Sequence, residues 1–270
     1  MNFRLRMLPG ALLLLLGTGA VARSALVLST FLLDLVAGTI SSKPVTELEP
    51  FDYSWGTMKW GTMGADFPWL AAGLALMVVG QFWIVPSTVG RIRLARTENA
   101  ARLAKLAMIA ASVLTAVAAA SFLLIPVLTK SAFGVLATTG VVDPVQFGED
   151  LPVRSNMVFV CTLMGAQFLV LVAAFAAPGE RAEATHRTGT VLAVAGCASF
   201  AAFTVGIVST YLGPIRSISE VLGSGSAADP VALAMKISQG LNLMIMASPF
   251  LAVAAVLWLL AVFVPGRREL

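Results

Sequence analysis

Few residues in this chain could do chemistry, and most of those are uncharged. The single histidine, His186, lies in a short hydrophilic stretch, and the two cysteines, Cys161 and Cys197, each sit inside an apolar run. One His without paired Cys cannot assemble a structural zinc site, a bis-histidine haem or a His-based triad. No nucleophile–base pair is visible, so the expectation is a non-enzymatic chain with no catalytic residue, metal or cofactor. Two ionisable groups, Arg23 and Asp34, fall within an apolar run and are eleven residues apart. Charges inside a bilayer are costly and are functional suspects. Three helical turns separate the two, so they share a face without touching, and interfacial anchoring accounts for either. No other apolar run holds a carboxylate, so the isolated chain lacks the acid relay expected of a proton pump. What remains is neutral: Gln81, Thr129, Thr162, Gln167, Thr210, Gln239 and Asn242. Such side chains hydrogen-bond between membrane helices, and the same groups can line a polar route.

Composition defines the elements that must hold these residues. Hydrophobic residues make up 58% of the 270, charged residues 12%, and the mean hydropathy is +0.90, whereas soluble domains carry about 25% charge. The pI near 9.4 does not signal nucleic acid, because the basic residues form no aromatic-laced patch. Backbone polar groups cannot stay unpaired in hydrocarbon, and about 20 residues of helix cross a bilayer. Apolar runs of that kind occur at 8–38, 67–89, 105–128, 157–177, 189–212 and 240–264. Pro178-Gly179 and Pro265-Gly266 close the fourth and sixth runs where a helix end is expected. The fold class is therefore all-α, a single polytopic membrane domain over 1–270 with six transmembrane helices arranged as three outward-facing hairpins.

Charge sets the orientation. With the N-terminus inside, eleven basic residues (Arg4, Arg6, Arg91, Arg93, Arg96, Arg102, Lys105, Arg181, Arg187, Arg267, Arg268) and four acids are inside, against six basic residues and nine acids outside. The positive-inside rule then puts both termini in the cytoplasm, as in a bacterial inner-membrane protein. The basic stretch from Arg91 to Lys105 extends helix beyond the bilayer and touches anionic lipid headgroups. Arg4, Arg6, a leucine run and Ala20-Val21-Ala22 before Arg23 also read as a cleavable signal. The apolar pattern that resumes over 25–40 favours one long, tilted, retained helix. Trp55-Gly56-Thr57-Met58 recurs as Trp60-Gly61-Thr62-Met63 in the outer segment 41–66, an interfacial loop with aromatic anchors. Trp258 is either lipid-facing or a packing residue.

The hairpins, 1–90, 105–178 and 188–265, share features of a repeat. Gly80-Gln81-Phe82, Ala166-Gln167-Phe168 and Ser248-Pro249-Phe250 each fall in a returning helix, while Thr30, Thr129 and Thr210 fall in ascending ones. Repeats in transport folds place sites at their interfaces. Alanine-rich stretches at 116–121 and 193–202 allow close helix approach, so bulky residues at Ala118 or Ala198 should be poorly tolerated.

In the third hairpin, Ser209-Thr210-Tyr211-Leu212-Gly213 is followed by a loop over Ser224–Pro230 and then by Ile237-Ser238-Gln239-Gly240-Leu241. Residues 205–260 resemble the paired channel helices of the MotA/TolQ/ExbB proton-channel family. There a Gly-Thr-Val-x-Gly-like helix turns through a polar loop into a motif like Ile-x-Glu-Ala-Leu. The resemblance matches Thr210 to the pore threonine and sets Gln239 in the facing motif, so these two, with the neutral polar Asn242 and Thr129, are the ion-path candidates. Gln239 replaces the usual Glu, Met244 replaces a second Thr, and the family's large cytoplasmic domain is missing. In that family the essential membrane acid belongs to a partner subunit. The resemblance thus implies an oligomer or a hetero-complex with another membrane subunit, in an ion-coupled assembly. A scaffolding subunit and a transporter of neutral small molecules are the other expectations, and no nucleic acid is expected.

Overall fold

A computed structural model describes the backbone at residues 7–24, 53–94, 99–139, 151–177, 187–210, 212–213, 216 and 230–263, with side chains over 7–24, 67–92, 99, 101–128, 154–177, 188–210, 212–213, 216 and 239–263. Among the described residues, six helices are long and apolar enough to cross a membrane. We number them α1 (Met7–Ser24), α2 (Tyr53–Leu94), α3 (Asn99–Thr139), α4 (Leu151–Ala176), α5 (Arg187–Thr210) and α6 (Pro230–Phe263). Proline opens α6 at the helix position where a missing N–H costs nothing. The apolar spans within them are Phe67–Ile92, Ala101–Leu128, Arg154–Ala176, Thr188–Thr210 and Gln239–Phe263 in α2 to α6, each close to its expected run. In the first, the described span Met7–Ser24 covers the start of the expected run and includes Arg23, and residues 25–38 fall outside the described set. The Trp-Gly-Thr-Met duplication, expected as a loop, has helical backbone because α2 begins at Tyr53. Glycine weakens a helix by about 1 kcal/mol without forbidding it, and no proline intervenes before Pro68.

Lipid is as apolar as leucine, so these helices associate by close packing rather than by hydrophobic expulsion. The buried face of α1 is Met7, Gly10, Leu14, Gly17, Val21 and Ser24, a three–four alternation that keeps one seam on a partner helix. That partner is α2, whose Gly73, Met77, Gly80 and Ile84 run past α1 in the opposite direction. A Cβ added at Gly17 would lie 2.6 Å from the Gly73 carbonyl oxygen, and one at Gly80 would lie 2.7 Å from Leu14 Cγ. The glycines are therefore contact surface: backbone touches backbone, which no side chain could permit. Gly73→Leu is expected to prise α1 from α2 at a cost of about 3 kcal/mol, the upper range for overfilling a packed site. Gly19→Leu, with nothing near its added Cβ, should cost far less. Thermal unfolding in mild detergent, followed by size exclusion, separates the two.

The other helices pack most extensively as α3 on α4, α5 on α6, α3 on α6 and α2 on α5. Phe122 of α3 joins Phe159 of α4 (centroids 5.0 Å apart) and Phe203 of α5 (5.1 Å), and Phe200 stacks on Trp258 of α6 at 6.4 Å. These edge and stacked contacts tie four helices into one aromatic spine. Trp258 is completely buried, which settles its role as packing. Ala118 is also fully buried, as the sequence suggested, but Ala198 faces outward. Close approach on α5 belongs instead to Gly196, set against Trp258, and to Gly206, set against Ala247. Pro249 cannot donate a hydrogen bond to Ile245 O, and Ser248 Oγ donates to that carbonyl at 2.8 Å, so the proline leaves no orphan in the membrane.

Candidate functional site

The residues expected to form an ion path are not gathered on one surface of this chain. Thr210 ends α5 with 3% exposure, and its hydroxyl donates to Gly206 O at 3.0 Å. Gln239 and Asn242 lie on the exposed face of α6. Thr129 has helical backbone in α3, and its side chain lies outside the described residues, as does all of Asp34. Arg23 is exposed, with its guanidinium 5.7 Å from the Trp69 ring centroid. That cation–π contact joins the last described turn of α1 to the start of the α2 span, as an interfacial anchor would. Lys105 makes a similar contact at the opposite end, 5.0 Å from the Phe263 ring.

The exposed face of α6 is ordered. Gln239, Asn242, Met246, Pro249, Val253, Val256, Leu260 and Phe263 all face away from the bundle and alternate by three and four residues. That is the spacing at which one helix presents a straight seam to another. Its N-terminal end carries two carboxamides and the rest is apolar.

A second polar feature lies at mid-depth, fully inside. Gln81 of α2 and Gln167 of α4 are 0% and 1% exposed, and Gln81 Nε2 donates to Gln167 Oε1 at 3.1 Å. Both stand near the centres of their spans, where an unpaired amide is most costly. The glutamines occupy matching places in the Gly-Gln-Phe and Ala-Gln-Phe stretches, and the third stretch puts Pro249 there, facing out. The bond leaves Gln81 Oε1 and Gln167 Nε2 without partners, and Thr88 Oγ1, also fully buried, has none. Other buried hydroxyls behave differently: those of Ser112, Thr115 and Thr204 donate to the carbonyl four residues back. The sequence marked Gln81 and Gln167 separately as interhelical hydrogen-bonding residues. It carried no sign that they meet, apart from their equivalent positions in the repeated stretch.

Among the described residues, no cluster of three His, Cys, Asp or Glu side chains comes together. Comparison with known proteins gave no match to a family model, a curated protein or a solved structure.

Proposed function

We propose that the chain is a non-enzymatic membrane subunit of an ion-coupled assembly in a bacterial cytoplasmic membrane. In this reading both termini are cytoplasmic and the helices form three outward-facing hairpins. The observation that carries the reading is the outward seam of α6, headed by Gln239 and Asn242. Lipid tails offer no hydrogen bond to the exposed Gln239 carboxamide, so this end of the helix suits contact with another membrane helix. A partner bearing the acid that the described spans lack would place its carboxyl against the Gln239 amide, as the resemblance of residues 205–260 implies. Buried Thr210, with its hydroxyl held to Gly206 O, then acts by shaping the end of α5 beside α6.

Two measurements test the reading. Purification in mild detergent is expected to yield an oligomer or a complex with a second membrane protein, seen in particle mass and symmetry. Gln239→Leu is expected to abolish ion-coupled activity and to weaken the assembly, with Thr210→Val having the smaller effect. A lone monomer whose coupled activity survives both substitutions would sink the proposal. A scaffolding role is favoured instead by one observation, the backbone contacts of Gly17 and Gly73. It predicts that Gly73→Leu disrupts the assembly while Gln239→Leu does not.

A further inference from the structure

We propose that the Gln81–Gln167 pair is a binding site at mid-depth in the bundle for one small neutral molecule that both donates and accepts a hydrogen bond. Water is the smallest such molecule, and a small amide or alcohol has the same chemistry. This site stands apart from the α6 seam and does not depend on the ion-coupled reading. Its basis is the unfinished hydrogen bonding of two amides buried to at least 99%. A primary amide carries two donors and one two-lone-pair acceptor, and two facing amides can close a reciprocal pair. Here they share a single bond of 3.1 Å, which leaves one acceptor, Gln81 Oε1, and one donor, Gln167 Nε2, both sealed from solvent and unpartnered. In hydrocarbon such groups are not left unmade.

The remaining valences define the ligand. A cation would be drawn to Gln81 Oε1 but repelled by the amide hydrogens of Gln167, and an anion would meet the reverse. Charged residues described within the spans sit toward their ends, as Arg23, Arg91, Arg102, Lys105 and Arg154 do, so nothing charged at this depth compensates an ion. A neutral donor–acceptor satisfies both atoms at once. Thr88 extends the site in one direction. It lies seven residues from Gln81 on α2, hence on nearly the same face and about 10 Å nearer the Arg91 end. Its hydroxyl is buried and unpartnered, in contrast to the threonines that bond back within their own helices. Buried residues of α3 and α4 toward that end include Ala104, Ala107, Ala173, Ala174 and Ala177, none of which competes for a hydrogen bond.

A high-resolution density map of the full chain in lipid nanodiscs tests this directly. The expected result is a separate peak about 3 Å from both Gln81 Oε1 and Gln167 Nε2, with another on Thr88 Oγ1. A round peak at the amides identifies water; an elongated one identifies a small organic solute. Gln81→Leu/Gln167→Leu should remove the amide peak, and Gln81→Met/Gln167→Met, closer in shape to the native pair, should do the same if the leucine variant does not fold. Reciprocal pairing of the two amides with no density between them would overturn the proposal. So would a peak that persists in the variants.

Discussion

Gly196→Ala is expected to destabilise the bundle by about 2–3 kcal/mol, although alanine is the better helix former. The opposing terms can be compared. Replacing glycine by alanine inside a helix contributes about 1 kcal/mol of propensity, and overfilling a packed interior costs about 1–3 kcal/mol. At Gly196 the second term is at its upper end. The new methyl would lie 2.6 Å from Trp258 Nε1, closer still to Cδ1, and 3.3 Å from Ala254 O. The indole has little freedom to retreat, because it is completely buried and lies nearly parallel to Phe200, at 20° between ring planes. Phe200 in turn leans on Phe203 and, through it, on Phe122, so displacement would spread along the spine into α3. Gly90→Ala gives the control with the opposite sign: nothing lies within 4 Å of its added Cβ, and only the propensity gain remains. Reversible unfolding in mixed micelles measures both. Equal stability of Gly196→Ala and the parent would show that Trp258 can give way.

The positions of the spans were legible because apolar length is a one-dimensional property. Ala101–Leu128 and Gln239–Phe263 could be read within a few residues from where polar residues and prolines interrupt the runs. Rotation of each helix about its own axis was not legible. In a soluble bundle the polar face identifies the buried one, but here lipid and interior are both apolar, and the two sides of a helix look alike. Ala198 and Gly196 illustrate this: both are small, two residues apart, and only the second meets α6. The glycine seam of α1 and α2 went unread for the same reason, although Gly10 and Gly17, like Gly73 and Gly80, are spaced by seven. Residue type and resemblance point to the ion-path residues. Type alone could not show that Thr210 turns inward while Gln239 and Asn242 turn outward. Nor could it show that two glutamines 86 positions apart form a buried hydrogen-bonded pair between α2 and α4.

That pair supplies the second large effect, in which one substitution is expected to harm more than two. Gln81→Leu removes the donor to Gln167 Oε1 and leaves a whole carboxamide, 1% exposed, facing an apolar neighbour. The net worth of an interhelical hydrogen bond in a membrane is modest, about 0.6 kcal/mol on average. Leaving one partner buried and unmet costs about 1–3 kcal/mol. The single variant should therefore lose about 2 kcal/mol, most of it from the stranded amide rather than from the lost bond. Gln167→Leu should behave alike. In Gln81→Leu/Gln167→Leu neither amide remains to be stranded, and leucine roughly matches glutamine in volume, so the double variant should recover most of the loss. The expected coupling is then strongly favourable for a pair whose bond is individually weak, and a double-mutant cycle by unfolding in mixed micelles reads it directly. Additive losses would mean that each glutamine is stabilised by its own surroundings. The two would then be neighbours that do not depend on each other, and the single hydrogen bond between them would carry little of the contact between α2 and α4.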